Sequence, residues 1–211
     1  MAKQIAGVYE RVMKCAKKEF LEKGYVDASL REIAKAAATS TGSIYTRFHD
    51  KEGLFQALVE PVLEEMKEMY HNIEETFHQI DREQQENMME DYAGEGMHRL
   101  VNFMYAHFDE FCLLLDASYG TRFQNFVDEL VDIEVEYTYQ YMDVIQCGAI
   151  KSGRVPKEFL HITTSGYLGA VFEVIRHRMK KEDALHYVDL LQKYHMAGYQ
   201  CIYCRGDEVS A

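Results

Sequence analysis

Apolar residues recur at three- and four-residue spacing along most of the chain, and that period predicts helices. Val8, Val12, Ala16 and Phe20 form one stripe over about 4–22, which ends before Gly24. A second helix follows, with Leu30, Ile33, Ala34 and Ala37 facing inward. Ser29 and Glu32 stand at the spacing of a capping box at its start. After a break at Ala38 and Thr39, Ser40 caps a third helix carrying Ile44, Tyr45 and Phe48. Asp50 caps a fourth from Lys51, striped by Leu54, Phe55, Leu58, Val62 and Met66. Pro61 lies inside it and cannot donate to the carbonyl of Ala57, which predicts a kink or break.

Beyond Gln79 the polar run "DREQQENMMEDYAGEG" has room to include a loop between helices. Further helices are expected over 95–109, 110–117, 121–147, 158–178 and 182–203, with a clear turn at "GAIKSGRVPKE". No stretch alternates as a strand would, and the 211 residues include only 2 prolines and 13 glycines. The expected fold class is all-α: a three-helix head with a helix-turn-helix (1–50) joined to a larger helical body (51–211), with the helix from Lys51 connecting them.

Charge divides at the same place. The net charge is −12, yet residues 1–55 carry ten Lys or Arg against seven Asp or Glu. The head is mildly basic and the body strongly acidic, so only the head suits a polyanion. Two short helices around a tight turn present the second to a DNA major groove. The inward residues close a core and leave Ser40, Thr41, Ser43, Thr46 and Arg47 outside. Hydroxyls bond phosphate oxygens or base edges, and the Arg47 fork suits phosphate or guanine. Lys51 sits in a first helical turn, where the dipole disfavours a cation unless a phosphate docks on that turn.

"AKKEFLEKGYVDASLREIA", "STGSIYTRF" and "DKEGLF", in this order and spacing, resemble the N-terminal domain of the TetR family of transcriptional repressors over about residues 8–58. The resemblance implies phosphate contacts from Ser29, Tyr45 and Lys51, and a base or phosphate contact from Arg31. It implies groove contacts from Thr41 and Ser43, with Gly42 allowing close backbone approach. Arg47 stands where the family often has histidine. Ala38 replaces the usual turn glycine, at a strain of about 1–2 kcal/mol if its φ is positive.

The resemblance also implies a body with an effector pocket. Its expected lining, carried over by segment, is Met104, Phe108, Phe111, Phe123, Phe126, Tyr137, Tyr141 and Tyr167. A small, largely apolar or aromatic effector is expected; Asp109, Glu110, Asp116, Glu134 and Glu136 also admit a cationic one. Gly166, Gly169 and Ala170 permit close helix approach. With Leu185, Val188 and Leu191 they suggest a homodimer interface, and two heads match a palindromic operator. The expected function is a repressor released from its operator by the effector, without cofactor, metal or catalytic site. The alternative is a helical metal-dependent enzyme or a metal- or redox-responsive protein built on His195, Cys201 and Cys204, which make an incomplete zinc set. Five cysteines without a disulfide pattern, no signal-like apolar block and no membrane-length apolar run make a cytoplasmic protein the expectation.

Overall fold

The computed structural model describes residues 2–204, with side chains from Gly7 to Tyr203. Among these, the regular elements are all helical. They are α1 (Ala2–Asp27), α2 (Leu30–Ala36), α3 (Thr41–Phe48), α4 (Lys51–His78), α5 (Arg82–Ala106), α6 (Phe108–Cys112), α7 (Phe126–Val144), α8 (Lys157–Arg176) and α9 (Lys181–Tyr199), with π-helical turns at Leu113–Ala117 and Gln200–Cys204. The all-α class and the helix-turn-helix arrangement are as the period predicts.

Three local expectations need correction. The loop in the polar run is confined to its first residue, Asp81, and the rest of the run is the first half of α5. Its inward positions are Gln85, Met89 and Tyr92, too few apolar side chains to read as a stripe. Buried Gln85 donates from Nε2 to Ile80 O at 2.7 Å and to His78 O at 3.4 Å, closing the turn from α4. Pro61 does not break α4. It is exposed, so the missing hydrogen bond lies on the solvent side, where water can take the carbonyl. The capping box does not form either. Ser29 has extended N-cap geometry but no side-chain cap bond, and its own N–H donates to Glu19 Oε1 at 3.1 Å. Gly24, at φ 72° and ψ 170°, interrupts α1 and turns the chain there.

The chain packs as two compact units, Met1–Met66 with Ala106–Phe126 and Lys67–Tyr105 with Val127–Ala211. The first therefore extends past the 1–50 head that the pattern suggests, and aromatic packing explains why. Phe20 meets Phe55 edge-on at 5.1 Å between ring centroids, and Phe55 contacts Phe123 at 6.2 Å. Phe20, Leu54, Phe55 and Phe111 are wholly buried, so these helix starts cannot leave the head without exposing them. At about 25 cal/mol per Å² of apolar surface, each large side chain contributes roughly 1.5–3 kcal/mol of burial. Lys17 of α1 pairs with Glu110 of α6, and Arg122 pairs with Glu60 while its N–H donates to Glu52 at 3.1 Å.

The second unit gathers α5, α7, α8 and α9 with the later turns of α4. Leu100, Val101, Leu168, Val171 and Val188 are fully or almost fully buried. Polar side chains tie helix ends together: Tyr105 Oη donates to Met179 O at 2.7 Å, and Tyr187 Oη to Ala170 O at 3.2 Å. A separate apolar cluster of Met142, Ala149, Val155, Leu160, Tyr199 and Tyr203 seals the turn between α7 and α8 against the end of α9 and the π-helical turn after it.

Candidate nucleic-acid interface and buried cavity

The turn between α2 and α3 is built from backbone bonds. Thr39 N donates to Ala34 O at 2.9 Å and Ala38 N to Lys35 O at 3.2 Å, the paired bonds of a Schellman ending. Ala38 takes the left-handed position at φ 51°, the strain anticipated for a residue standing in place of glycine. Arg11 of α1 adds a bond from Nε to Ala37 O at 3.3 Å. Ser40 then caps α3, its Oγ accepting from Ser43 N at 3.1 Å.

The far end of α3 is tightly constrained. His49 at φ 68° and ψ −48°, with Asp50 N donating to Phe48 O at 2.8 Å, makes a γ-turn of the rare, strained hand. Asp50 caps α4 through Gly53 N at 2.7 Å. A Cβ on Gly53 would lie 2.0 Å from Phe48 O, so only glycine fits. The motif "DKEGLF" is thus a steric requirement for bringing α3 and α4 together.

Between these fixed ends α3 buries Ile44 and Phe48 and turns Gly42, Ser43, Tyr45, Thr46 and Arg47 to the outside. Tyr45 is 52% exposed. Thr41 is partly buried, Ser40 and Arg31 are exposed, and Ser29 is partly buried at the start of α2. Thr46 Oγ1 donates to Gly42 O at 2.8 Å, which leaves its oxygen as an acceptor. The Arg47 guanidinium lies 5.0 Å from the Tyr9 ring centroid, and Tyr9 stacks on Phe48 at 5.9 Å. Tyr9 supports the arginine from α1 and had no signal in the stripe pattern, because it lies off the buried face. Lys51 is engaged within the unit: Nζ donates to Val26 O at 2.9 Å and Ala28 O at 3.2 Å, and sits 4.7 Å from the Tyr25 ring centroid. It ties α4 to the end of α1, a role the sequence did not suggest.

Residues 12–58 match the family model for bacterial regulatory proteins of the tetR family. This head is a TetR-family helix-turn-helix domain. Over 63 residues the chain is 38% identical to the HTH-type transcriptional regulator YvdT of Bacillus subtilis strain 168, a match covering 30% of this chain and 32% of that one. Likeness to solved structures extends further. A TetR-family regulator from Syntrophomonas wolfei aligns over 100% of both chains with TM-score 0.58 and 17% identity. The TetR-family regulator CifR, solved as a cysteine variant with 26-bp double-strand operator DNA, aligns over 87% of this chain and 94% of its own with TM-score 0.55 and 20% identity. At these identities the likeness beyond the TetR head is one of fold.

The second unit contains a cavity of about 130 Å³. Of the eight residues expected to line a pocket, it brings together Tyr137, Tyr141 and Tyr167. Met104 is wholly buried in α5 and does not line it; Phe108, Phe111, Phe123 and Phe126 belong to the first unit. Phe77 and Tyr92 add aromatic wall, 5.1 Å apart between centroids, and Phe77 lies 5.8 Å from Tyr141. Tyr167 stacks on His195 at 4.2 Å.

The polar lining is acidic. Glu74 of α4 and Glu134 of α7 both face the cavity, Tyr70 Oη donates to Glu134, and the lining includes neither Lys nor Arg. Burial, with the Glu134 charge second, pushes the Glu74 carboxyl up to about 8, and burial raises Glu134 despite the Tyr70 bond. Burial also lowers His195 and His78, favouring the neutral imidazoles. Of the carboxylates considered in the sequence, only Glu134 lies here; Glu110 pairs with Lys17, and Glu136 is exposed.

The residues expected at a dimer interface separate. Val188 is wholly buried within its own protomer and presents no outer surface. Leu185, Leu191, Gly169 and Ala170 are partly buried, and Gly166 is exposed. The large exposed apolar side chains of α8 and α9 are Ile162, Leu190 and Tyr194, the last 81% exposed. Among the described residues, no three His, Cys, Asp or Glu side chains converge as a metal set. His195 is taken up by Tyr167, Cys201 is exposed, and the Cys204 side chain lies outside the described ones. No helix among the described residues is long and apolar enough to cross a membrane.

Proposed function

We propose that the protein is a sequence-specific DNA-binding transcriptional regulator. It binds a palindromic duplex as a symmetric homodimer with α3 in the major groove, and acts as a repressor released by a small molecule taken into the cavity. The observation that carries this reading is the outer face of α3. A helix fixed at both ends by backbone constraints presents Ser43, Tyr45, Thr46 and Arg47 together, on the basic part of an acidic chain. Ser40, Thr41 and Gly42 form the helix start, where N–H groups approach a phosphate. Ser29 and Arg31 flank it from α2. Lys51 adds its charge to the same side while holding the end of α1, and its third N–H proton is available to a backbone phosphate. The operator complex of CifR supports the duplex as the target class.

The dimer is assigned to the outer surfaces of α8 and α9, where Ile162, Leu190 and Tyr194 are exposed and an added Cβ at Gly166 or Gly169 meets no atom within 4 Å. A side chain begun at Gly169 starts into open space on this surface, so Gly169→Phe should shift sedimentation toward monomer. The regulatory reading is tested by selecting binders from random duplexes with the purified chain. An enriched palindrome is expected; failure to enrich any sequence would overturn the assignment.

A further inference from the structure

A pocket between packed helices ordinarily holds apolar side chains, or charges paired with one another. This cavity breaks that rule with one sign only. Glu74 and Glu134 approach it from α4 and α7, and the lining holds no Lys or Arg to balance them. Burial disfavours the charged form of His78 and of His195, the two histidines in the lining. A metal ion does not answer the imbalance, because the described residues assemble no group of three or more metal ligands.

A second observation is independent of the carboxyls. Thr164 on α8 is 3% exposed and lines the cavity, which places a hydroxyl at the wall. Such a hydroxyl can accept a hydrogen bond from a visiting ammonium group. The rest of the wall is aromatic: Phe77, Tyr92, Tyr137 and Tyr141 present ring faces and edges. Carboxylates beside aromatic faces form the environment that selects an organic ammonium, through charge and through the ring quadrupole. An engineered apolar cavity of roughly 150 Å³ takes up benzene, so a volume of about 130 Å³ suits a body of about one ring.

We propose that the cavity takes an organic cation, a protonated or quaternary amine on a body of about one aromatic ring, with its charge between Glu74 and Glu134 and its body against Phe77, Tyr137 and Tyr141. That this cation is also the effector rests on the regulatory reading above. Burial and the neighbouring carboxyl push Glu74 up to about 8, and burial raises Glu134, so the pair resists ionisation at neutral pH. A monocation placed between them favours the ionised forms and compensates their charge. A neutral ligand leaves the charge uncompensated, and an anion adds to it.

Calorimetry on the full chain with benzyltrimethylammonium, benzyl alcohol and benzoate tests the class of ligand. The cation should bind at least tenfold more tightly than the alcohol, and benzoate should not bind. In Glu74→Gln and Glu134→Gln the ratio of cation to alcohol affinity should fall at least tenfold. The comparison of probes on the unmodified chain stands even if a variant fails to fold. Alcohol or benzoate binding as tightly as the cation, or no binding by any probe, would overturn the proposal. Retention of the selected duplex, measured beside each titration, separates the two readings. A cation that binds with the expected preference and leaves duplex affinity unchanged upholds the ligand class and removes its effector role. An alcohol that binds as well as the cation and releases the duplex removes the ligand class and leaves the regulatory reading standing.

Discussion

The outer face of α3 and the cavity of the second unit solve opposite electrostatic problems. On α3 the charged group is a guanidinium kept in solvent, lying against Tyr9, with hydroxyls beside it. In the cavity the charged groups are carboxyls drawn away from water and left without a basic side chain in the lining. The first arrangement costs little to maintain and attracts a polyanion from outside. The second is unfavourable while empty and gains stability when a positive charge enters. One chain can thus hold a strongly acidic composition and still offer DNA a basic surface, because sign is divided along the sequence: residues 1–55 sum to +3 and the remainder to −15.

The largest expected effect breaks the first region while sparing the second. Gly53→Val would place a Cβ 2.0 Å from Phe48 O, against backbone that cannot move aside. Such a clash should cost roughly 3 kcal/mol or more. A melting curve should show the head's transition lowered by at least several degrees, with probe binding in the cavity retained.

The cavity carries a pH dependence of its own. Burial and Glu134 raise Glu74 from 4.5 to about 8, so the folded state holds a proton the unfolded chain releases earlier. Its stabilising effect is complete below about pH 4.5 and is lost as pH rises toward 8. The groups around it are Glu134, Tyr70, Tyr137 and Tyr167, with His78 and His195 disfavoured in their charged forms by burial. The melting temperature should fall between pH 5 and about 8.5, and Glu74→Gln should flatten that part of the profile. An identical profile for the variant would place the titration elsewhere.

Within the head, two cations should behave differently. Lys51 bonds two carbonyls at the end of α1 and should lose about 1–2 kcal/mol of stability as Lys51→Ala, read from the denaturation midpoint. Arg47 lies against the Tyr9 face and is exposed, and Arg47→Ala should leave that midpoint within about 0.5 kcal/mol of the parent. The smallest change is a gain. Ala38→Gly removes the left-handed strain at φ 51° and should stabilise the head by up to about 1 kcal/mol, with α3 unmoved in its spectrum.

The head was legible because its determinants are local. Ala38, Ser40, Ile44, Phe48 and Asp50 lie within one short stretch, and the period assigns each to a cap, a turn or the core. Even the strain at Ala38 follows from the residue type. The γ-turn at His49 and the need for Gly53 did not, since nothing in spacing measures the approach of Gly53 to a carbonyl. The cavity was legible only in part. Its wall draws on α4, α5, α7, α8 and α9, and a helical stripe does not say which part of it meets a void. Phe123 carries the same aromatic signal as Tyr137 but packs on Phe55. Glu74 sits among many solvated carboxylates, and only the fold distinguishes it. Val188 has the spacing of an interface residue and the burial of a core one.

The central claim is that the outer face of α3 reads duplex DNA. It is tested most directly by titrating a fluorescent duplex, taken from the random selection, with the parent chain and with Arg47→Ala at one fixed salt concentration. Loss of the guanidinium should weaken binding by about 10- to 100-fold, the worth of one well-made contact to a base, while helicity and cavity binding stay as in the parent. Equal affinity of the two proteins for that duplex would contradict the account.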